Sequence, residues 1–316
     1  MNMVEQKNTL PQHEAEHGYE ELPETSPLTM HLIAGAAAGI MEHTVMYPFD
    51  NIKTRMQIVS SSSSQTMYTS VTHAFRLIST TEGARSLWRG VMSVVLGAGP
   101  AHAIYFAAYE QAKKMLGGTS DPSHLHPLAA GAAGGIATII SDALLNPFDV
   151  VKQRMQISGA YYKNIVNCAV KILQREGPRA FYVSYPTTLT MNIPFQSIQF
   201  GSYEVFRKTL NPSGQYSPLT HVVSGGIAGA IASAITTPID CAKTLLQTRG
   251  LSTEKEIRSA NSMVTAFRII YRRQGIAGFF RGVAPRTIAN MPATAISWTT
   301  YEYFKWQISQ GNEAVN

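Results

Sequence analysis

Long stretches with little or no charge alternate along this chain with short charged ones. Leu32–Tyr47, Leu128–Asn146 and His221–Thr237 form one set; Val91–Ala108, Pro186–Ser202 and Val283–Thr300 form a second. Each runs about 16–19 residues, near the ~20 that an apolar helix needs to cross a bilayer. The pattern predicts an all-α membrane protein with six spanning helices. A soluble array of helical repeats is the alternative. Such arrays need charged exteriors, which these six segments lack, and their periods are shorter, about 20–50 residues.

The chain repeats itself three times. Pro48-Phe49-Asp50-Asn51-Ile52-Lys53-Thr54-Arg55-Met56-Gln57 returns as Pro147-Phe148-Asp149-Val150-Val151-Lys152-Gln153-Arg154-Met155-Gln156. It returns again as Pro238-Ile239-Asp240-Cys241-Ala242-Lys243-Thr244-Leu245-Leu246-Gln247, where Leu245 stands in place of the arginine. A second marker is Tyr109-Glu110 with Lys113, Tyr203-Glu204 with Arg207, and Tyr301-Glu302 with Lys305. Between them fall Glu82-Gly83, Glu176-Gly177 and Gln274-Gly275, each at the same distance before the Glu of the second marker. Length varies only earlier, between the Asp of the first marker and these pairs. The first of these loops holds the flexible run Ser60–Ser64. Constant spacing with variable loops is what stacked structural units require. It divides the chain into repeats at 28–120, 121–214 and 215–308, with tails at 1–27 and 309–316. Gly35-x-x-x-Gly39 and Gly225-x-x-x-Gly229 begin at equal distances before their motif prolines, and Gly134 holds that register in the second repeat. Small residues so spaced let membrane helices approach closely.

Composition sharpens the picture. Charged residues are only 15% of the chain, and mean hydropathy is −0.04. A typical soluble protein carries about 25% charge. The stretch 1–30 holds six acids and one base, against a net charge of +6 for the whole. This acidic start is neither a secretory signal nor an Arg-rich transit peptide, and it is expected to be a disordered tail. Two cysteines far apart, Cys168 and Cys241, exclude a disulfide scaffold.

Each Pro motif carries Asp, Lys and Gln on one helical path. Asp and Lys three residues apart can form a local surface pair. Threefold repetition offers a second arrangement. Three proline-kinked helices around an axis bring their Asp and Lys together, each pairing with its neighbour. The Tyr-Glu markers would do the same at the other end of the other three helices, giving two gates.

These motifs resemble those of the mitochondrial carrier family, over about residues 28–308. The resemblance implies six transmembrane helices in three pseudo-threefold-related repeats, with both termini facing the intermembrane space of the mitochondrial inner membrane. It also implies short amphipathic matrix helices near Ser70–Ser79, Asn164–Gln174 and Ser262–Arg273. A matrix gate would pair Asp50 with Lys152, Asp149 with Lys243 and Asp240 with Lys53, braced by Gln57, Gln156 and Gln247. A cytoplasmic gate would pair Glu110 with Arg207, Glu204 with Lys305 and Glu302 with Lys113, braced by Tyr109, Tyr203 and Tyr301. The turns Trp88-Arg89-Gly90 and Phe280-Arg281-Gly282 would hold cardiolipin at helix N-termini; the second repeat has Tyr182-Val183-Ser184 there. A monomer with no nucleic-acid partner and no resident cofactor is expected.

The cargo must be read from residues that break the threefold symmetry. Five of the six segments contain no Lys or Arg, and the sixth has only Arg286, near its matrix end. Anionic substrates need cations at the site, so nucleotides, phosphate and carboxylates are disfavoured. Two helical turns before the motif Asp stand His43, Asp142 and Ser233, one per repeat. Around Pro100, Pro194 and Pro292 stand Gly97, Met191 with Asn192, and Ala289, followed by His102, Gln196 and Thr294. Imidazole, carboxylate and thioether suit a divalent transition metal. The same residues also suit plainer roles: a membrane His bonding a neighbouring helix, or Met filling a gap. His221, as far before its proline as His31 is before its own, is a further contact or a solvated interface residue.

The wording around His43, His102, Met191 and Asn192 resembles an iron-importing branch of the family. That resemblance implies substrate contacts at those four, with His221 beside them, and transient iron ligation by His43, His102 and Met191. Carriage of another small solute or metal complex, or a membrane interaction role without flux, are the alternatives. No enzyme motif is present: there is no P-loop and no His-Glu-x-x-His.

Overall fold

The computed structural model describes residues 28–59, 68, 70–115, 127–157, 162–212 and 217–313, and their side chains except at 28–38, 102, 127–131, 218, 297–298 and 301–313. Each repeat runs long helix, short helix, 3-10 turn, long helix. The first comprises α1 (Leu28–Gln57), α2 (Val71–Thr81) and α3 (Val91–Met115); the second α4 (Pro127–Gln156), α5 (Ile165–Glu176) and α6 (Tyr185–Leu210). The third comprises α7 (Pro218–Thr248), a short α8 (Lys255–Arg258), α9 (Met263–Gln274) and α10 (Val283–Glu313). No strand occurs among the described residues. The expected acidic tail at 1–27 and the Ser60–Ser64 run lie outside the described residues. At the other end, α10 continues to Glu313, through part of the segment expected as a tail.

The six long helices have 25 to 31 residues, enough at ~1.5 Å each to exceed a ~30 Å hydrocarbon core. Among the described residues, two stretches, Ala84–Met115 and Leu219–Leu251, are long and apolar enough to cross a membrane by length and composition. The others carry polar positions such as Glu42, Asp142 and Asn192. All six contain a proline, yet each helix continues through it. Pro48 cannot donate to the carbonyl of Thr44, and the Trp88 indole N–H donates to that carbonyl instead, at 2.9 Å. Here the first repeat's aromatic-Arg-Gly turn repairs the gap in its own α1.

The short helices begin and end for local reasons. Ser70, Asn164 and Ser262 are extended residues whose side chains accept from the backbone N–H of His73, Asn167 and Thr265. Gly83, Gly177 and Gly275 end these helices with φ of 84°, 78° and 62°. Only glycine adopts such values without strain, which explains the Glu/Gln-Gly pairs. Each helix buries its apolar face, Ala74 and Ile78 or Cys168 and Ile172 against its own repeat, and Ala266, Ile269 and Ile270 in a cluster that Val59 of the first repeat joins.

Around the bundle, α3 lies along α4, α6 along α7 and α10 along α1, so neighbouring repeats share broad contacts. Within repeats, α7 packs closely on α10, while α1 meets α3 and α4 meets α6 over far less. The glycines show why. A Cβ at Gly226 would lie 2.8 Å from the Met291 backbone, and one at Gly229 would lie 3.0 Å from Asn290. Gly39, Gly134 and Gly135 face open space. Of the three small-residue stretches in register, only that of the third repeat makes a close helix contact among the described residues.

Candidate functional site

The Pro motifs place their acids and lysines at one end of the bundle, each pointing to the next repeat. Lys53 meets Asp240 at 2.9 Å, Lys243 meets Asp149 at 3.1 Å, and Lys152 pairs with Asp50. All six lie on α1, α4 and α7, so the three pairs form a closed ring between repeats. The local Asp–Lys pairing along one helix is not the one adopted. The ring is partly dry: the Asp240 side chain is 3% exposed and Lys53 15%.

The three glutamines differ. Gln57 donates to Asp240 at 2.7 Å and accepts from Thr244 at 2.8 Å. Gln156 and Gln247 are buried but make no such bond to the ring among the described residues. Their backbone carbonyls serve instead, accepting from the Nε of Arg55 at 2.8 Å and of Arg154 at 3.0 Å. Each arginine also grips the Glu of its own Glu-Gly turn with both terminal nitrogens, Arg55 on Glu82 and Arg154 on Glu176. These arginines fasten repeat one to two and repeat two to three. The third repeat has neither partner: Leu245 is buried where an arginine would stand, and Gln274 replaces the glutamate. Sequence reasoning missed this link, although both departures fall in the same repeat.

Above the ring, polar side chains bridge the helices. Asn192 on α6 donates to Asp142 on α4. Asn290 on α10 donates to Ser233 on α7 at 2.9 Å. His43 lies within electrostatic reach of Asp50 on the same helix. Met191, next to Asn192, faces Arg286 on α10, with Sδ 4.0 Å from Nη2. Gln196 is exposed one turn beyond Asn192. The His102 side chain lies outside the described ones. No three His, Cys, Asp or Glu side chains converge in a metal-binding cluster among the described residues. The structure thus joins Asn192 to Asp142 and Met191 to Arg286 and brings His43 near Asp50, without a preassembled cage among the described residues.

At the opposite end the Tyr-Glu pairs are not formed in this conformation among the described side chains. Glu204 pairs with Lys208 on its own helix at 2.7 Å, and Glu110 is exposed. Tyr203 is bonded to the Nδ1 of His221 and stacks on its ring. His221 therefore sits with this end's tyrosine. Tyr109 stacks on Tyr105, and Lys113 and Arg207 are half-buried. The side chains of Tyr301, Glu302 and Lys305 lie outside the described ones. Two of the expected pairs, Glu204–Lys305 and Glu302–Lys113, therefore involve an undescribed side chain.

The second repeat's turn is built differently. Gly90 and Gly282 have φ of 93° and 76°. A Cβ at Gly90 would meet the Tyr47 hydroxyl at 2.7 Å, and one at Gly282 would meet Gln57 at 3.0 Å. Ser184 occupies the equivalent place with an ordinary φ of −84° and bonds Asn146 instead.

Three like units of paired long helices, an ion-pair ring across one end and a polar interior above it are the architecture of a membrane solute carrier. The chain belongs to the mitochondrial carrier protein family, whose sequence profile matches residues 24–120, 123–214 and 214–311. It is 50% identical over 291 residues to mitochondrial RNA-splicing protein MRS3 of Saccharomyces cerevisiae, covering 91% of each chain. It is 46% identical over 295 residues to human mitoferrin-1, covering 92% of this chain and 87% of that one. Human mitoferrin-2 is 46% identical over 297 residues, 93% and 81% of the two chains. The protein is a multi-pass carrier of the mitochondrial inner membrane.

Proposed function

We propose that this carrier imports Fe(II) into the matrix by alternating access between two charged rings. The reading is supported by the polar side chains near the ring, with Asn192 bonded to Asp142, Met191 facing Arg286 and His43 near Asp50, on a chain 46% identical to mitoferrin-1. Imidazole, carboxylate and thioether donors scattered over several helices suit a metal that must be released again. Asp50, Asp149 and Asp240 with Lys53, Lys152 and Lys243 form the matrix gate. The Tyr-Glu markers form the cytoplasmic gate, which is open when the matrix ring is made. Breaking a partly buried ion-pair ring is costly unless binding offsets it. Cargo between the rings supplies that difference by binding the intermediate states more tightly. Both termini face the intermembrane space, and the monomer is the working unit. Cardiolipin phosphates sit at the N-termini of α3 and α10, beside Arg89 and Arg281.

Uptake of Fe(II) into proteoliposomes, kept reduced with ascorbate, tests this. Saturable uptake by the wild type is expected, with a loss of tenfold or more in His43→Ala with His102→Ala. Unchanged uptake in that double variant sinks the site assignment. Uptake of nucleotides or keto acids with none of iron sinks the substrate.

A further inference from the structure

Arg286 is the one Lys or Arg within the six charge-poor segments of the sequence, and it touches both the interior and the gate. One terminal nitrogen, Nη1, lies 3.5 Å from Asp240 Oδ2. The other, Nη2, lies 4.0 Å from Met191 Sδ, and the guanidinium sits over the Phe195 ring at 5.7 Å. Its side chain is 11% exposed, and Nη1 is buried without a hydrogen-bond partner among the described residues. The same Asp240 oxygen already accepts from Lys53 at 2.9 Å and Gln57 at 2.7 Å. Arg286 is thus the third and longest contact on one oxygen, held there by charge rather than by a formed hydrogen bond.

A guanidinium does not give up its proton in a protein. A divalent cation arriving at the Met191 sulfur would therefore meet a fixed positive charge. The two cannot share the level, and the side chain must leave Met191. Its nearest counter-charge is Asp240, where a closer approach competes with Lys53 for the same oxygen. The positions equivalent to Arg286 in the other repeats are Val94 and Thr188, which carry no charge. The competition therefore exists only where repeat three meets repeat one. That junction also lacks the arginine fastening, because Leu245 replaces it.

We propose that Arg286 is a positioning residue that couples occupancy at Met191 to the Lys53–Asp240 pair, so that the junction of repeats three and one parts first. The proposal rests on the transport of a metal cation stated above. Initial rates of Fe(II) uptake are measured in proteoliposomes for the wild type, Arg286→Gln and Arg286→Lys, with melting curves to normalise for folded protein. Arg286→Gln is expected to lower the half-saturating iron concentration several-fold, because the repelling charge is gone. It is expected to lower the maximal rate tenfold or more, because binding no longer disturbs Asp240. Arg286→Lys keeps the charge and is expected to retain most of the rate. A merely structural role would scale the rate with folded protein and leave half-saturation unchanged. A higher half-saturating concentration in Arg286→Gln overturns the coupling, since Arg286 would then be holding an anion that travels with the metal. A wild type that takes up no Fe(II) overturns the transport reading and the coupling with it. Uptake by the wild type with unaltered constants in Arg286→Gln overturns the coupling alone.

Discussion

Arg154 has almost no contact with solvent, yet its charge is answered on two sides: the Gln247 carbonyl belongs to the next repeat and Glu176 to its own. Removing one partner of such a pair leaves the other uncompensated, and that costs more than the pair itself contributes. Arg154→Leu is therefore expected to destabilise the protein by about 3 kcal/mol, discounted from the fully buried range because Glu176 keeps some water. Pairing it with Glu176→Gln copies what the third repeat already has in Leu245 and Gln274. The double variant is expected to melt at a higher temperature than Arg154→Leu alone, in detergent at neutral pH. An equal or lower melting temperature would mean that the glutamate carries no stranded charge. The sequence showed both halves of this pattern, but sequence distance hid that they touch. Arg55 and Glu82 are 27 residues apart and Arg154 and Glu176 are 22, and only the path of the short helix brings them together.

At the scale of helices, what was legible depended on how local its cause is. The short helices are specified by an extended Ser or Asn cap at one end and a positive-φ glycine at the other, with an apolar face between. All three features lie close together in sequence, so the chain alone locates them. Helix contacts are different. A glycine holds the same register in all three repeats, at Gly35, Gly134 and Gly225, yet the partner across the gap decides whether a glycine in such a stretch is needed. Gly226 faces Met291 on α10, where an added methyl would force the backbone apart, and Gly134 faces nothing within 4 Å. Gly226→Ala is expected to destabilise by about 1–3 kcal/mol through overpacking. Gly134→Ala is expected to stabilise by up to about 1 kcal/mol, since alanine is the better helix former and no clash opposes it. Opposite shifts in melting temperature confirm the asymmetry; shifts of the same sign would mean that α4 and α7 meet their neighbours alike.

For the whole molecule, a ring of three ion pairs joins the repeats at one end of the bundle, and no such ring is made at the other end among the described side chains. Low charge content pointed to the membrane, and the repeat pointed to the ring. The two ends differ in contacts that sequence distance hides: the Asp–Lys pairs at one end join neighbouring repeats, while Glu204 at the other pairs with Lys208 on its own helix. Accessibility from the two sides tests it. Gln196 is exposed on α6, one turn from Asn192, and Val166 is exposed on α5. Cysteines placed singly at these two positions are probed with a membrane-impermeant maleimide in vesicles of one orientation. The native thiols contribute little background. Cys241 is buried, with its sulfur against the Phe279 and Arg281 carbonyls. Burial pushes the Cys168 thiol up to about 12, so its reactive thiolate is absent at pH 7. The same shift carries a stability consequence. Unfolding frees a thiol that ionises near pH 9, so the stabilisation holds below that pH and fades as pH rises toward 12. Labelling at neutral pH thus reads only the introduced cysteines. The Val166→Cys site is expected to react from the matrix side alone and the Gln196→Cys site from the opposite side alone. Reaction of Gln196→Cys from the matrix side would mean that the ring does not seal. Adding Asp240→Asn, which removes the negative charge that Lys53 and Arg286 share, is expected to open that route and turn the matrix-side result positive.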